Sequence, residues 1–538
     1  MTKKQLSLIT GLTIAALILG LLISRRVWFR LDLTKNRAYT IAPVSRNLYT
    51  EIPDQIQITY YLSDKLSAVS PLPGEIQDLL REYAAYSHGK IRVTVRDPVK
   101  AGLTAAVERL GIRPNQIDTV ERDQATTAIV YTGITIEYLD NIEALPLVFS
   151  LETLEYDLTS RIRSLIRGAK REIGVILGDS AKQWNNDYQY LNQVFVQSGF
   201  SVRVIPAGDE ISDTLPALFV LGGTEDLDEW ALYRIDRYIQ GGGKVLFAVN
   251  SVYVNAQSNE QPRVMMDKGL LSMISLYGAT VKPALVLDRA ALNLSYRVPT
   301  DFGISLVEQI KYPLWIGVLE SNGNTDHPLT GNFSGLDMFW TNPIELNPAE
   351  PVDAGPLFTS TGEAWLMTKD FAIDPRGASY LFEQELPDTK GVKILGATLT
   401  GKFPSYFAGL PKPKREWSEE ELPDLPTEPK ESRIIVIGNT EFAAHSYEYT
   451  SQLRDLNFLV TAADWLGNDD DIVTIRNRQG QHQLNKILDE KKRAQAMAFA
   501  RAVNVMAVPF ALVIVGIFMA WKRRSRAKQI SGGREPAA

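Results

Sequence analysis

Two long apolar runs, one near each end, stand out in the hydropathy pattern of this chain. Ala502 to Trp521 contains no charged side chain, and Leu6 to Ser24 is a second uncharged run. A helix of about 20 residues, rising 1.5 Å per residue, spans the ~30 Å hydrocarbon core of a bilayer. The pattern therefore predicts transmembrane helices over residues 1–24 and 502–521.

Each apolar run has an alternative interpretation. For 502–521 it is a buried core helix, but such a helix normally shows a polar face, and here only Asn504 contributes to one. For Leu6 to Ser24 it is a cleaved signal peptide, whose apolar core is roughly 7–15 residues long. This run is longer and precedes Arg25-Arg26-Val27-Trp28-Phe29, a poor cleavage context, so an uncleaved anchor is favoured.

The basic flanks of the two runs bear on orientation, because lysine and arginine favour the cytoplasmic side of a span. Five basic side chains within 522–528 indicate a cytoplasmic C-terminus: Lys522, Arg523, Arg524, Arg526 and Lys528. The basic residues after the first run outnumber Lys3 and Lys4 before it and favour the opposite orientation: Arg25, Arg26, Arg30, Lys35 and Arg37. We predict a two-span protein of the cell (inner) membrane with an extracytoplasmic large domain; the reverse orientation is the alternative.

Residues 25–168 alternate between strand and helix patterns. Gln55 to Leu62 and Lys90 to Arg96 are predicted strands, and Pro73 to Ser87 repeats its apolar residues at helical spacing. A helix, two strands and a helix follow: Ala101 to Leu110, Thr126 to Leu139, Ala144 to Leu151 and Glu152 to Ile166. This order predicts a thioredoxin-like α/β domain acting as a scaffold, since the chain has no cysteine for redox chemistry.

A second α/β pattern occupies residues 169–280. Short apolar runs predict strands at Ile173 to Leu177, Val202 to Ile205, Ala217 to Leu221 and Lys244 to Val249. Helical patterns at Tyr188 to Gln197 and Asp228 to Gln240 separate them. Strands that alternate with helices pair in parallel, so this region is predicted to form a doubly wound sheet.

The remaining chain is predicted in five parts. Residues 281–432 form a β-rich insertion, in which the Pro- and charge-rich segment 410–432 is expected to be exposed and solvated. A return to the α/β domain, a basic stalk helix, the second span and a basic tail follow at 433–480, 481–501, 502–521 and 522–538. Within the return, we predict a strand at Arg433 to Gly438, a helix at Leu456 to Leu466 and a short strand at Asp471 to Arg476.

Charge is distributed unevenly along the 538 residues. Residues 1–37 hold seven basic side chains against one acidic, and 486–538 hold eleven against three, so the net charge of −6 leaves an acidic body between basic ends. A nucleic-acid-binding surface is basic, so the composition argues against nucleic acid as a partner. Basic ends suit anionic lipid headgroups, which makes the lipid bilayer a predicted partner.

Motifs for chemistry are sparse. The chain contains neither G-x-G-x-x-G opening a helix nor G-x-x-x-x-G-K-[ST], and Gly241-Gly242-Gly243 has the position of a helix stop. Asp179 and Ser180 follow a strand where open α/β sheets place ligands; a helix cap is favoured, with a ligand site as the alternative. Asp469-Asp470-Asp471 lacks the alternation of a calcium loop, and the four histidines are far apart. We therefore assign no catalytic, cofactor-binding or metal site and no cofactor.

The chain resembles the Gldg family of gliding-motility ABC-transporter auxiliary proteins over nearly its whole length. The residues that carry the resemblance are Leu31-Asp32-Leu33-Thr34, Tyr39-Thr40, Tyr83, Asp97-Pro98, Gly222-Gly223, Tyr238, Gly241 to Lys244, Gly401-Lys402-Phe403, Arg433 to Asn439, Asn457 and Ala463 to Leu466. The resemblance implies a membrane-anchored, non-ATPase subunit that works with an ABC permease and ATPase. It also implies a middle domain similar to class I glutamine amidotransferases, without their nucleophilic cysteine.

Two functions are consistent with these patterns. The first is a non-catalytic auxiliary subunit of an ABC-type transport system, which binds a partner or cargo with its large domain. The second is a membrane-tethered envelope hydrolase using carboxylates such as Asp179 or Glu225 as acid and base. A glycosidase of this kind needs two carboxylates facing one cleft, about 5–10 Å apart.

Overall fold

The computed structural model describes residues 41–475, apart from 122–123, 150, 152, 169–170, 256–259, 300–304, 332, 384–386, 416–419, 445–452, 468–471 and 474, together with Trp521. The chain separates into two compact units, Met1–Gln481 and His482–Ala538. No helix within the described residues has both the length and the apolar run needed to cross a membrane. The predicted spans 1–24 and 502–521 lie outside those residues except for Trp521.

The N-terminal region is a four-stranded mixed sheet with helices packed against it. Its strands are β1 (Ile56–Leu62), β2 (Ile91–Arg96), β5 (Thr132–Tyr138) and β6 (Asn141–Leu145). Between β2 and β5, the chain forms a separate hairpin of β3 (Asn115–Glu121) and β4 (Gln124–Val130). The order is β2-β1-β5-β6, with only β1 and β2 parallel. The helices are α1 (Pro43–Asn47), α2 (Asp64–Val69), α3 (Leu72–Tyr86), α4 (Thr104–Arg109) and α5 (Leu154–Arg167).

A nine-stranded sheet forms the centre of the larger region. Its strands are β7 (Glu172–Leu177), β8 (Ser201–Val204), β9 (Ala217–Leu221), β10 (Val245–Ala248), β13 (Ala279–Val281), β18 (Ile344–Leu346), β19 (Asp353–Thr359), β21 (Ile394–Gly401) and β22 (Ser432–Ile437). The order is β13-β18-β21-β22-β10-β9-β7-β8, with β19 on β21. The five strands from β22 to β8 are parallel, and β21 pairs antiparallel with β22.

Both faces of the inner parallel strands β7, β9, β10 and β22 are buried, which explains their continuous apolar runs. In β9, Phe219 and Leu221 face one core, and Leu218 and Val220 face the other. The helices of this region are α6 (Trp184–Asp187), α7 (Gln189–Gln197), α8 (Glu229–Gln240), α9 (Leu270–Tyr277), α10 (Ala378–Glu383), α11 (Glu441–Ala444) and α12 (Arg454–Leu466). Residues of α7 and α12 join the first core, and those of α8 and α9 the second.

Smaller sheets complete the region between β10 and β22. They pair β11 (Val252–Tyr253) with β12 (Arg263–Val264), β14 (Leu285–Leu287) with β20 (Trp365–Met367), and β15 (Ala291–Pro299) with β16 (Ser305–Val318), which also pairs with β17 (Leu336–Phe339). Residues 281–432, predicted as a β-rich insertion, contain strands β14 to β21. Because β18, β19 and β21 join the central sheet, this stretch extends that sheet as well as forming its own pairs.

The structure confirms the mixed α/β class and corrects several local predictions. The polar hairpin strand β3 was not predicted, and the predicted strand Thr126 to Leu139 is two strands that break at Tyr131. A short strand at Asp471 to Arg476 is wrong, because Ile472 and Val473 are helical. The likeness of the two α/β regions to thioredoxin and glutamine amidotransferases stays a prediction.

The charge-rich segment 410–432, named the strap here, has a buried anchor that its composition did not predict. Apart from Ser432, the first residue of β22, its described residues have no regular secondary structure, yet Leu422 is 2% exposed within the core against α8. Tyr233 of α8 donates a hydrogen bond to the carbonyl of Pro423 at 2.9 Å, and Arg415 pairs with Asp228 at 2.9 Å. Most of its described residues are exposed, as expected, but one apolar anchor and these polar contacts hold it on the helix.

Candidate functional site

The parallel strands create a crevice at one edge of the central sheet. Their spatial order is β8-β7-β9-β10-β22, so the chain leaves β7 in one direction for β8 and then returns past it to β9. Connections on either side of such a reversal lie on opposite faces, which opens a crevice beyond the carboxyl ends of the strands. The loops after β7, β9, β10 and β22 all end there.

A cavity of about 450 Å³ occupies this crevice. Its lining combines carboxylates from the strand-end loops with aromatic and aliphatic side chains from the smaller sheets. The charged members are Asp179, Lys182, Asp187, Glu225, Asp226 and Glu441, and the aromatic members are Tyr188, Tyr253, Tyr312, Phe339 and Trp340. The volume lies within the range of about 300–1,000 Å³ that is typical of small-molecule sites.

Glycines allow the loops after β7 and β9 to touch. A Cβ atom on Gly178 would lie 2.4 Å from the Cα of Gly223 and 2.5 Å from the carbonyl carbon of Gly222. Gly222 and Gly223 have φ values of +79° and +109°, a region that side-chain-bearing residues rarely adopt. The close approach brings Asp179 and Glu225 to one cavity.

Three of the carboxylates are tied to nearby backbone amides. Asp179 accepts a hydrogen bond from the N–H of Ala181 at 3.0 Å, and Asp187 from that of Gln183 at 2.7 Å. Asp226 accepts from the N–H of Ser180 at 3.2 Å, which joins the loops after β9 and β7. Asp179 thus closes a local turn, and it also lines the cavity.

The other two carboxylates are ion-paired. Glu225 receives two hydrogen bonds from Arg263, at 2.5 and 2.9 Å, and a third from the N–H of Met266. The hydrogen bond from Arg263 holds the pKa of Glu225 below its usual value despite partial burial. Lys182 donates to Glu441 at 2.5 Å, and both side chains are less than one-fifth exposed.

A buried amide oxygen and a buried tyrosine stand out among the polar residues at the cavity. The Oδ1 atom of Asn250 is buried and accepts no hydrogen bond. Tyr188, which lines the same cavity, is 1% exposed. Burial raises the pKa of Tyr188 well above its ordinary value, and the charges of Glu441 and Asp179 add to this effect. Its phenol therefore stays neutral among carboxylates.

Comparison with known proteins identifies the family. Residues 170–473 match the family described as "ABC-type uncharacterized transport system", an auxiliary component of such systems. The chain belongs to this family. Residues 35–137 match a domain of unknown function (DUF7088). The family's match covers the central sheet and every residue that lines the cavity.

Individual relatives add little about function. The chain is similar to an uncharacterized protein of Borreliella burgdorferi, at 26% identity over 505 residues, covering 92% of this chain and 94% of that protein. Among solved structures it is matched to the mmIFT52 N-terminal domain, at 11% identity and a TM-score of 0.31, covering 55% of this chain and 96% of that one. That TM-score is too low to assign a fold.

The residues singled out in the sequence of this transport-system protein have mixed outcomes. Asp179 and Glu225 meet at the cavity, whereas Asp469-Asp470-Asp471 lies outside the described residues. Within the described part of the chain, no group of three or more acidic or histidine side chains is arranged to hold a metal. Gly243 donates its N–H to the carbonyl of Tyr238, the helix stop that was predicted. No sequence motif had marked Tyr188 or Asn250 as candidate site residues.

Proposed function

We propose that this protein is a membrane-anchored auxiliary subunit of an ABC-type transport system and that its large extracytoplasmic domain binds a partner or cargo. The family match over residues 170–473 carries the proposal. The sequence resemblance to gliding-motility proteins favours a role in that kind of machinery. The large domain is built around a preformed cavity, as expected for binding.

The subunit depends on other chains for transport. The sequence contains no G-x-x-x-x-G-K-[ST] phosphate loop, and two predicted spans are too few to enclose a pathway. We therefore propose an ABC permease and an ATPase as partners. The proposed docking surface consists of the second span and the basic segment Lys491 to Arg501 before it. Within the span, Asn504 is available for a hydrogen bond between helices.

We expect the permease and the ATPase to co-purify with this protein after mild detergent extraction. Replacing Val503 to Trp521 with polyleucine should release both, because the chimera keeps a span but loses the side chains that recognise another helix. Pull-down followed by mass spectrometry measures the outcome, and circular dichroism checks that the large domain remains folded. Partners that stay on the chimera would move docking elsewhere; partners never recovered, even after cross-linking in native membranes, would end the proposal.

Orientation has a direct test, because the natural chain lacks cysteine. An impermeant thiol reagent applied to intact cells should label Ser258→Cys and spare Ser525→Cys. The first position lies in the proposed extracytoplasmic domain and the second in the proposed cytoplasmic tail. Labelling after lysis provides the control for reactivity. The opposite pattern would reverse the orientation, and labelling of both in intact cells would contradict two spans.

An envelope hydrolase remains the second candidate, because five carboxylates line one cavity. Their environments weaken it. Glu225 is held ionised by Arg263, with a lowered pKa, whereas a general acid needs a raised one. The auxiliary, binding role accounts for the family match without assigning chemistry to these residues.

A further inference from the structure

The cavity at the carboxyl ends of β7, β9, β10 and β22 has a chemistry that selects its ligand. We propose that it binds an organic cation: a primary ammonium or guanidinium group carried on an apolar or aromatic stem. This goes beyond the proposed function, because it assigns a ligand site to the isolated chain whether or not a transporter assembles on it.

Charge is the first observation behind this assignment. Five carboxylates and one lysine line the cavity. Lys182 compensates Glu441, and Arg263 compensates Glu225. Among the described residues, Asp179, Asp187 and Asp226 form no ion pair, although each accepts a backbone hydrogen bond. A cavity with uncompensated carboxylates attracts a cation and repels phosphates and carboxylates.

Hydrogen-bonding capacity is the second, independent observation. The buried Oδ1 atom of Asn250 has no donor, and an amide oxygen can only accept. Tyr188, 1% exposed at the same cavity, carries a hydroxyl oxygen that can also accept. Ammonium and guanidinium groups only donate, so they complement these acceptors and the carboxylates. A buried acceptor without a hydrogen bond costs free energy. A donor from a bound ligand would remove that cost at Asn250.

The rest of the lining suits an apolar stem. Tyr253, Tyr312, Phe339 and Trp340 contribute aromatic surface, and Val252, Val254 and Leu294 contribute aliphatic surface. The hydroxyl of Tyr312 donates to the carbonyl of Ile373 at 2.6 Å, and Trp340 donates to that hydroxyl at 3.1 Å, which fixes both rings. The Arg263 guanidinium already lies 5.0 Å from the centre of the Tyr253 ring, so one ring of the site packs on a cation.

A matched pair of ligands tests the role of charge. Phenethylammonium and 2-phenylethanol share a stem and differ in the cationic group. Titrated calorimetrically into the full-length protein in non-ionic detergent, the amine should bind at least about tenfold more tightly than the alcohol, because only the amine gains charge-assisted hydrogen bonds. Added sodium chloride should weaken binding of the amine and leave the affinity for the alcohol unchanged. Cellobiose, a neutral polyhydroxylated probe, should bind more weakly than the amine.

Variants then locate the binding. Asp179→Asn and Asp187→Asn keep an oxygen for the backbone N–H groups of Ala181 and Gln183 but remove the charge, so each should weaken the amine about tenfold. Tyr188→Phe removes one hydroxyl from the cavity and should weaken amine binding less than either carboxylate variant does. Asp213→Asn is the control: this side chain is 70% exposed, pairs with Arg237 and does not line the cavity, so affinity should be unchanged.

Several results would overturn the assignment. They are equal binding of amine and alcohol, tighter binding of cellobiose, no binding of the amine at millimolar concentration, or full affinity in both carboxylate variants. If a variant fails to fold by circular dichroism, the comparison of ligands on the natural chain still decides. A failed pull-down of transporter subunits would contradict the proposed function and leave this binding result standing.

Discussion

Replacing Asp464 with alanine is expected to destabilise the protein by about 3–5 kcal/mol, because it leaves a buried cation without its partner. Asp464 on α12 forms an ion pair with Arg171, and the two side chains are 1% and 10% exposed. Its second oxygen accepts a hydrogen bond from the Tyr156 hydroxyl at 2.6 Å. The carboxylate therefore joins α12, the residue that precedes β7, and helix α5 of the N-terminal region.

The surroundings of Arg171 explain the size of this effect. Its guanidinium donates to the carbonyl of Ser198 at 2.7 Å and lies 3.9 Å from the centre of the Phe200 ring. These contacts keep the cation in place after Asp464 is removed, so it cannot readily move into water. Asp464→Asn retains an acceptor for Tyr156 and should fall between the natural protein and the alanine variant.

Urea unfolding of the full-length protein, followed by circular dichroism, measures the loss. The matched control is Asp78→Ala, which breaks a 2.6 Å pair with Arg81 whose members are 57% and 67% exposed. A surface pair of this kind contributes about 0–1 kcal/mol. Equal midpoints for the two alanine variants would contradict the prediction, since burial is what separates them.

Local patterns predicted the inner parallel strands well, because each is short and buried on both faces. The predicted runs Ile173 to Leu177 and Ala217 to Leu221 match β7 and β9 closely, and the helix expected at Asp228 to Gln240 is α8. The reason is that an element buried on both faces needs a continuous apolar run, and a helix buried on one face needs an apolar repeat, so each pattern is visible in the local sequence. The position of Asp179 at a strand end followed from the same rule.

Long-range pairing was beyond such patterns. The hairpin strand β3 is polar and has no distinct apolar alternation, so only its pairing with β4 defines it. Tyr312 and Trp340 reach the cavity from segments distant in sequence from Asp179. The strap depends on Leu422, a single apolar side chain among charged ones. In each case the deciding contact joins residues that are distant in sequence, and neither local pattern nor segment composition reveals it.

Gly178→Ala is expected to cost up to about 3 kcal/mol and to abolish amine binding in the cavity. A Cβ atom there would meet backbone atoms of Gly222 and Gly223 at 2.4–2.5 Å, and backbone cannot turn aside as a flexible side chain can. The N–H of Gly178 also donates to the carbonyl of Leu221 at 2.9 Å. Relieving the clash must separate the ends of β7 and β9, which moves Asp179 away from the loop after β9.

Gly377→Ala is the matched control for that substitution. A Cβ atom at Gly377 meets nothing within 4 Å, and its φ is not in the left-handed region. Alanine there should be neutral or stabilise the fold by about 0.4–1 kcal/mol, since it restricts the unfolded chain. Urea midpoints and amine affinity measured on both variants separate the two effects. If Gly178→Ala matches Gly377→Ala in both measurements, the loops after β7 and β9 are not locked together, and the cavity does not depend on their contact.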